Sequence, residues 1–241
     1  MQTIIITAAT SQELALLART LDIQERSGGV RKTFMGEVGS ARLIVAETGI
    51  GKVNAASAVT ALLENILPSL VINTGCAGAY IGSGLQVGDL AVASAEIYGD
   101  EGVETPAGWE SLEAIGIPSL ERHDARYFNE FPLAVLPAQR AVRLANQLGI
   151  PLHRGKFVTV STCSGTAVRG AELFQRYGAL CESMEGGAVA HVCLQYGVDC
   201  LELRGISNLV EDRDLSRWDL PRAVEKAQRF ILKFVETLGE E

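Results

Sequence analysis

The chain has five cysteines, Cys76, Cys163, Cys181, Cys193 and Cys200, and no CxxC pair among them. An odd, scattered set suits a reduced setting in which thiols serve as small core residues. Its three histidines, His123, His153 and His191, stand at no metal-ligand spacing, so neither a metal site nor another cofactor is expected. Positive charge is also scarce. With 21 Lys and Arg against 29 Asp and Glu the net charge is −8, and no basic stripe occurs. That argues against nucleic acid or an anionic membrane as partner, while a nucleoside-sized ligand remains compatible. No run is apolar for long enough to cross a bilayer. The opening MQTIIITAAT lacks a positive n-region and runs straight into a strand pattern, so no signal peptide is expected and the reading is cytoplasmic. No Pro/Ser-rich linker or charge block interrupts the apolar runs, and residues 1–241 are expected to form one domain.

What is present is a large apolar fraction, 47%, arranged as buried strands alternating with helices. Thr3 to Ala8 is a β-branched run ending in a Ala9-Thr10-Ser11 cap signal. In the helix that follows, Leu14, Leu17, Ala18 and Leu21 share a face, and Glu13 stands in the first turn. A first-turn glutamate is favoured by the helix dipole alone, so on these residues it reads equally as a solvated charge or a functional acid. Ser27-Gly28-Gly29 reads as a turn. Gly49-Ile50-Gly51-Lys52 lacks the third glycine of a dinucleotide fingerprint and the ending of a P-loop, and reads as a tight strand-to-helix turn. A helix is expected over 54–65.

Leu70 to Asn73 reads as a strand ending in Thr74-Gly75-Cys76-Ala77-Gly78-Ala79, small residues that let backbone amides approach a ligand. The strand over 155–161 breaks likewise into Ser161, Thr162 and their small neighbours. Residues 110–137 read as mostly loop, and 138–148 as a helix. The stretch from Cys181 to Asp214 carries the densest chemistry. It reads as a strand end, the pair Met184-Glu185, a helix opened by Gly186, a second buried strand, and a break at Gly205-Ile206-Ser207-Asn208. If the two strands are parallel neighbours, Glu185 and Asn208 sit at adjacent carboxyl ends, where ligands gather. An amphipathic helix, 220–238, closes the chain.

Glu13 together with TGIGKVNAA (48–56), INTGCAGA (72–79), VGDLAV (87–92), SMEGGAVAHVC (183–193) and RGISN (204–208) resembles the purine nucleoside phosphorylase and nucleosidase superfamily. The match runs in the right order over most of the chain. It implies an α/β fold, a three-layer α/β/α sandwich around a mixed, distorted sheet, and a homodimer or higher assembly. It implies Met184 and Glu185 on the ribose hydroxyls, Asn208 on the base and Glu13 as the base for an attacking water. Cys76, Ala77, Gly78, Ser161 and Thr162 are the matching candidates for substrate contact.

Two departures carry information. Phosphorolytic members place an arginine where Asn73 stands, and without a cation a phosphate dianion has little to hold it. Water is then the expected nucleophile. Nucleosidases that act on adenine nucleosides carry an aspartate where Asn208 stands. An asparagine amide donates to a 6-oxo group and accepts from a protonated N7, which points to hypoxanthine. The segments GDEGVETPAGW (99–109), TVSTCSGT (159–166) and ISNLVEDRD (206–214) resemble members that hydrolyse an inosine-like nucleoside bearing a carboxyphenyl ketone at its 5′ end. For that end, Trp109 and Phe128 are candidates for an apolar lobe and Arg169 or Arg213 for the carboxylate. Asp212 and Asp214 are alternative acids. A methylthioadenosine/adenosylhomocysteine nucleosidase, a phosphorylase and a non-catalytic nucleoside-binding protein stay open beside this reading.

Overall fold

The structure, a computed structural model, describes residues 2–21, 24–26 and 32–239. Within the run Ile4-Ile5-Ile6, Ile4 and Ile6 enter one apolar cluster and Ile5 another, all fully buried. Such alternation puts a strand in the middle of a sheet covered on both faces. That strand is β1 (Gln2–Ala8), followed by a short 3-10 turn (Ser11–Glu13), α1 (Ala15–Thr20), β2 (Gln24–Arg26), β3 (Thr33–Val38) and β4 (Ala41–Glu47). Next come α2 (Lys52–Leu63), β5 (Leu70–Tyr80), β6 (Leu90–Tyr98) and a hairpin of β7 (Gly102–Thr105) and β8 (Gly108–Ser111). A second hairpin, β9 (Leu120–Arg122) with β10 (Ala125–Tyr127), and the short β11 (Glu130–Pro132) lead into α3 (Val135–Leu148). Then follow β12 (Leu152–Thr159), α4 (Ala167–Tyr177), β13 (Cys181–Ser183), α5 (Gly186–Tyr196), β14 (Cys200–Val210) and α6 (Leu220–Gly239).

Among the described residues, ten strands form one mixed sheet. Helices α1, α3 and α6 pack on the face carrying Ile4 and Ile6, and α2 and α5 on the face of Ile5, which makes the three-layer α/β/α sandwich. Part of the sheet closes on itself. β5 pairs β14, β14 pairs β6, β6 pairs β12, β12 pairs β13, and β13 returns to β5. This circuit is the distortion that positions the site.

The strands flanking α5 are not the parallel neighbours expected from the connection length. β5 stands between them, antiparallel to β13 and parallel to β14. The groups after β13 and within β14 therefore reach the site from opposite sides of β5. The chain does not break at Gly205 either. β14 runs on to Val210, with its register shifting between Ile206 and Asn208 so that Ser207 is bulged. Thr74 to Ala79 likewise stay extended within β5, because β14 on one side and β13 on the other supply ladder partners. In the region read as loop, β9, β10 and β11 form, and α3 begins at Val135. Pro137 is accommodated in that helix's first turn, where an N–H has no intrahelical partner to lose. The turn expected at Ser27-Gly28-Gly29 lies outside the described residues.

Candidate active site

Thr10 and Glu13 form a capping box around the turn after β1. Glu13 Oε2 accepts from the Thr10 N–H at 3.0 Å and from its hydroxyl at 2.9 Å, while Oε1 accepts from the Cys76 N–H at 3.1 Å. Instead of reaching into solvent, the carboxylate is buried against β5. The backbone at Gly75 leaves room for it. A Cβ there would stand 2.4 Å from Glu13 Oε1 and 2.6 Å from Arg204 Nη1, at a φ of +147°.

Glu185 caps the N-terminus of α5. Its Oε1 accepts from the Gly51 N–H at 2.9 Å, and its Oε2 lies 3.8 Å from Arg204 Nη2. Burial pushes its carboxyl above the ordinary range, against the opposing pull of Arg204 and the Gly51 amide. Arg204 itself is fully buried on β14, with Nε donating to Glu202 Oε1 at 2.8 Å and Nη1 to the Cys76 carbonyl at 3.3 Å. Burial works against the guanidinium charge, but Glu202, Glu185 and Glu13 outweigh it and hold the arginine above its usual value. The Cys76 thiol, by contrast, is pushed up to about 12 by burial and by the neighbouring Glu13, so it offers no thiolate at neutral pH.

Asn208 lies on β14 beside Gly78, where a Cβ would stand 3.1 Å from the amide nitrogen. The Ser207 hydroxyl donates to Asn208 Oδ1 at 2.8 Å, with the Ala77 carbonyl 3.2 Å away as its alternative acceptor, and Nδ2 donates to the Leu209 carbonyl at 3.0 Å. Each end of the amide thus keeps one unused bonding position, an N–H on Nδ2 and a lone pair on Oδ1. Ser207 and Leu209 fix which way they point.

Glu13, Cys76, Ala77, Gly78, Met184, Glu185 and Asn208 come together around one cavity of about 820 Å³. Its outer wall is apolar, with Leu16, Trp218, Leu220 and Val224, and it carries the exposed Arg19. Glu182 also faces the cavity, its oxygens taken up by the Ser164 N–H and hydroxyl at 2.7 Å and by the Tyr80 hydroxyl at 3.1 Å.

The other sequence-predicted contacts lie outside that cavity. Trp109, in the β7–β8 hairpin, packs under the Arg176 guanidinium at 4.3 Å and edge-on to Tyr177. Ser161 donates its N–H to Asp100 at 2.6 Å in a separate shallow hollow beside Lys52, and Thr162 is exposed next to it. Phe128 lies beneath Arg126, and Arg169 is paired with Glu172 at 3.2 Å. Arg213 covers Trp218 at 4.8 Å from outside. Asp212 and Asp214 serve as capping groups, accepting from the N–H of Ala167 and of Ser216. Asn73 is buried between β1 and β14, accepts from the Thr7 hydroxyl at 3.1 Å and does not line the cavity.

Arg19, Arg204 and Trp218 are among the residues that sequence reasoning missed. Arg204 belongs to RGISN, and the signal was a charge inside an apolar strand, Leu201-Glu202-Leu203-Arg204. Trp218 is one of two tryptophans and immediately precedes α6. Among the described residues, no three His, Cys, Asp or Glu side chains gather to hold a metal ion, and no helix is long and apolar enough to cross a membrane.

The three-layer sandwich and its acid-lined cavity define an α/β protein of the nucleoside phosphorylase-like fold, as comparison with known proteins shows. Residues 3–236 match the model of the phosphorylase superfamily, and the chain belongs to that family. It is 36% identical over 193 residues to a futalosine hydrolase of Thermus thermophilus, covering 80% of this chain and 81% of that one. It is 29% identical over 238 residues to a 5′-methylthioadenosine/S-adenosylhomocysteine nucleosidase of Halalkalibacterium halodurans, covering 97% and 98%. The crystal structure of the corresponding nucleosidase of Neisseria meningitidis, in complex with methylthio-immucillin-A, superposes with a TM-score of 0.85 at 24% identity, over 98% of this chain and 100% of that one.

Proposed function

We propose that the cavity hydrolyses the N-glycosidic bond of a 6-oxopurine nucleoside, and that the substrate is futalosine, releasing hypoxanthine and dehypoxanthine futalosine on the futalosine route to menaquinone. The observation that carries this reading is the Asn208 amide, with one donor and one acceptor left free and fixed by Ser207 and Leu209. That pair complements O6 and a protonated N7, whereas adenine presents a 6-amino donor to the same nitrogen. The likeness to the futalosine hydrolase of Thermus thermophilus supports the same choice.

In this reading the bond breaks through an oxocarbenium-like sugar. Glu13, anchored by Thr10 and the Cys76 N–H, orients and deprotonates water beneath C1′. Glu185, with Met184, takes the ribose hydroxyls and lends negative charge beside the developing cation. Hypoxanthine departs against Asn208. Arg204 is a cation buried behind Glu13 and Glu185, but these two and Glu202 surround it and leave it little attraction for a phosphate dianion. This, rather than Asn73, is the argument for water as nucleophile. Beyond the sugar, Trp218, Leu220 and Val224 suit an aromatic 5′ substituent, and Arg19 its carboxylate.

The test is incubation with futalosine, inosine and methylthioadenosine, with and without phosphate, followed by detection of the free base. Hypoxanthine from futalosine without phosphate is expected. Adenine from methylthioadenosine as the main product would sink the reading, a phosphate requirement would make the chain a phosphorylase, and binding without base release would remove catalysis altogether.

A further inference from the structure

Below the cavity floor lie two carboxyl groups that the proposed mechanism does not use. Glu96 on β6 and Glu202 on β14 are both fully buried. Each presents an oxygen to the same spot above Gly186. A Cβ on that glycine would stand 2.2 Å from Glu96 Oε1 and 2.4 Å from both oxygens of Glu202. The remaining oxygens have donors. Thr159 donates its hydroxyl to Glu96 Oε2 at 2.6 Å, and Arg204 Nε donates to Glu202 Oε1 at 2.8 Å. Glu96 Oε1 and Glu202 Oε2 have none, and each is out of reach of solvent.

Two carboxylates facing each other in a dry interior cannot both be ionised. One proton between the two partnerless oxygens satisfies both and leaves a single negative charge. Arg204 is bonded to Glu202, which draws that charge to Glu202 and leaves the proton on Glu96. We propose that Glu96 and Glu202 form a carboxylic acid–carboxylate pair, and that Glu202 is a positioning residue that holds Arg204 in place for the reaction. Burial and the Glu202 charge also push the Glu96 carboxyl well above its ordinary range, which agrees with the geometry.

The contacts of the pair say what it positions. The Gly187 N–H, in the first turn of α5, donates to the Thr159 hydroxyl at 2.6 Å, and that hydroxyl donates to Glu96. From Glu96 the chain of bonds continues through the shared proton to Glu202 and on to Arg204. Arg204 then donates to the Cys76 carbonyl, and the N–H of the same residue holds Glu13. One network thus joins the helix that begins after Glu185 to the peptide that orients Glu13. Replacing the carboxylate by a neutral amide leaves Arg204 a weaker acceptor and frees it to fall back on Glu185 or Glu13, both of which the reaction needs.

The inference rests on the reading that this cavity cuts an N-glycosidic bond, but not on which nucleoside it takes. Wild-type base release from futalosine, inosine or methylthioadenosine tests that reading separately. With whichever substrate turns over, Glu202→Gln is expected to lower kcat roughly 10- to 100-fold with KM within about threefold, since a bond to a charged partner is lost. Glu96→Gln, whose amide donates to Glu202 as the acid does, is expected to lower kcat no more than about threefold. Infrared spectra of the wild type at neutral pH are expected to show a protonated-carboxyl stretch that disappears in Glu96→Gln. Unchanged kcat in Glu202→Gln, or equal losses in the two variants, overturns the assignment of roles. Absence of the protonated-carboxyl band, or a band that persists in Glu96→Gln, overturns the shared proton, and this measurement stands even if no nucleoside is cleaved.

Discussion

The Gly51 N–H donates to Glu185 Oε1 at 2.9 Å, joining two residues 134 apart in sequence. The turn before α2, which as a phosphate loop had little to recommend it, instead orients a carboxylate. With its first oxygen occupied and its second 3.8 Å from Arg204, Glu185 has a defined direction before any ligand arrives.

In the proposed reaction Glu185 takes the ribose hydroxyls as a carboxylate, an acceptor at both oxygens. Burial holds its carboxyl above the ordinary range. On acidification it therefore takes up a proton earlier than a free glutamate, whose pKa is about 4.3. The profile of kcat/KM against pH is expected to fall on the acid side above that value, and Glu185→Gln should lack this limb along with most activity. An acid limb at or below the free value would assign the titration to another group.

Glu13→Gln keeps the shape of the side chain but loses the base. Turnover is expected to drop about 10²- to 10⁴-fold. Hypoxanthine binding, measured calorimetrically, should stay within severalfold of wild type, because the proposed role of Glu13 is at the sugar. Wild-type turnover would remove Glu13 from the mechanism.

Asn208→Asp replaces the fixed amide by a carboxyl that accepts from a 6-amino group. The ratio of kcat/KM for futalosine over methylthioadenosine is expected to shift toward the adenine nucleoside by roughly 10- to 100-fold, the range for one hydrogen bond to a polar or charged partner. A ratio unmoved by the substitution shows that base choice is made elsewhere.

Arg19→Gln separates the two ends of the substrate. KM for futalosine, which bears a carboxylate, is expected to rise about tenfold, while KM for inosine, which bears none, stays the same. Equal effects on both would place Arg19 outside the recognition of the 5′ end.

Gly75→Ala brings a methyl group to 2.4 Å from Glu13 Oε1 and 2.6 Å from Arg204 Nη1 at a backbone angle that disfavours side chains. Overpacking of this kind costs about 1–3 kcal/mol. Thermal unfolding should report the loss of stability, and kcat should fall further than stability alone explains, because both displaced groups belong to the site.

Much of this site was legible in the sequence because its chemistry sits at conspicuous places. Glu13 follows a cap signal, Glu185 opens a glycine-led helix, and Asn208 stands late in a buried strand. Less legible was what lies between them. Glycines and alanines at 74–79 read as a loop because small residues weaken strands, yet strand partners on both sides hold them extended. Arg204 was hidden for the opposite reason. Its neighbours Leu201 and Leu203 mark a core strand, and sequence alone does not show that Glu185 and Glu13 converge from two other segments to join Glu202 in neutralising it. Trp109 looked like a cover over the cavity because it stands in a turn-rich loop, but Arg176 and Tyr177 from α4 claim its ring. Partners brought by long-range packing are what local patterns omit.

The circuit of β5, β14, β6, β12 and β13 has a consequence for how the protein forms. Its pairings join residues as far apart as Thr74 and Leu203, 129 positions along the chain. Contacts at such separation incur loop-closure entropy before they return any energy, so they form late and slowly. Until β14 slots between β5 and β6, Arg204 and Asn208 have no place, and Glu13 and Glu185 lack the groups that restrain them. A partly folded chain would thus have its outer strands and helices in order and no capacity to bind a nucleoside, so recovery of ligand binding should lag behind recovery of secondary structure during refolding.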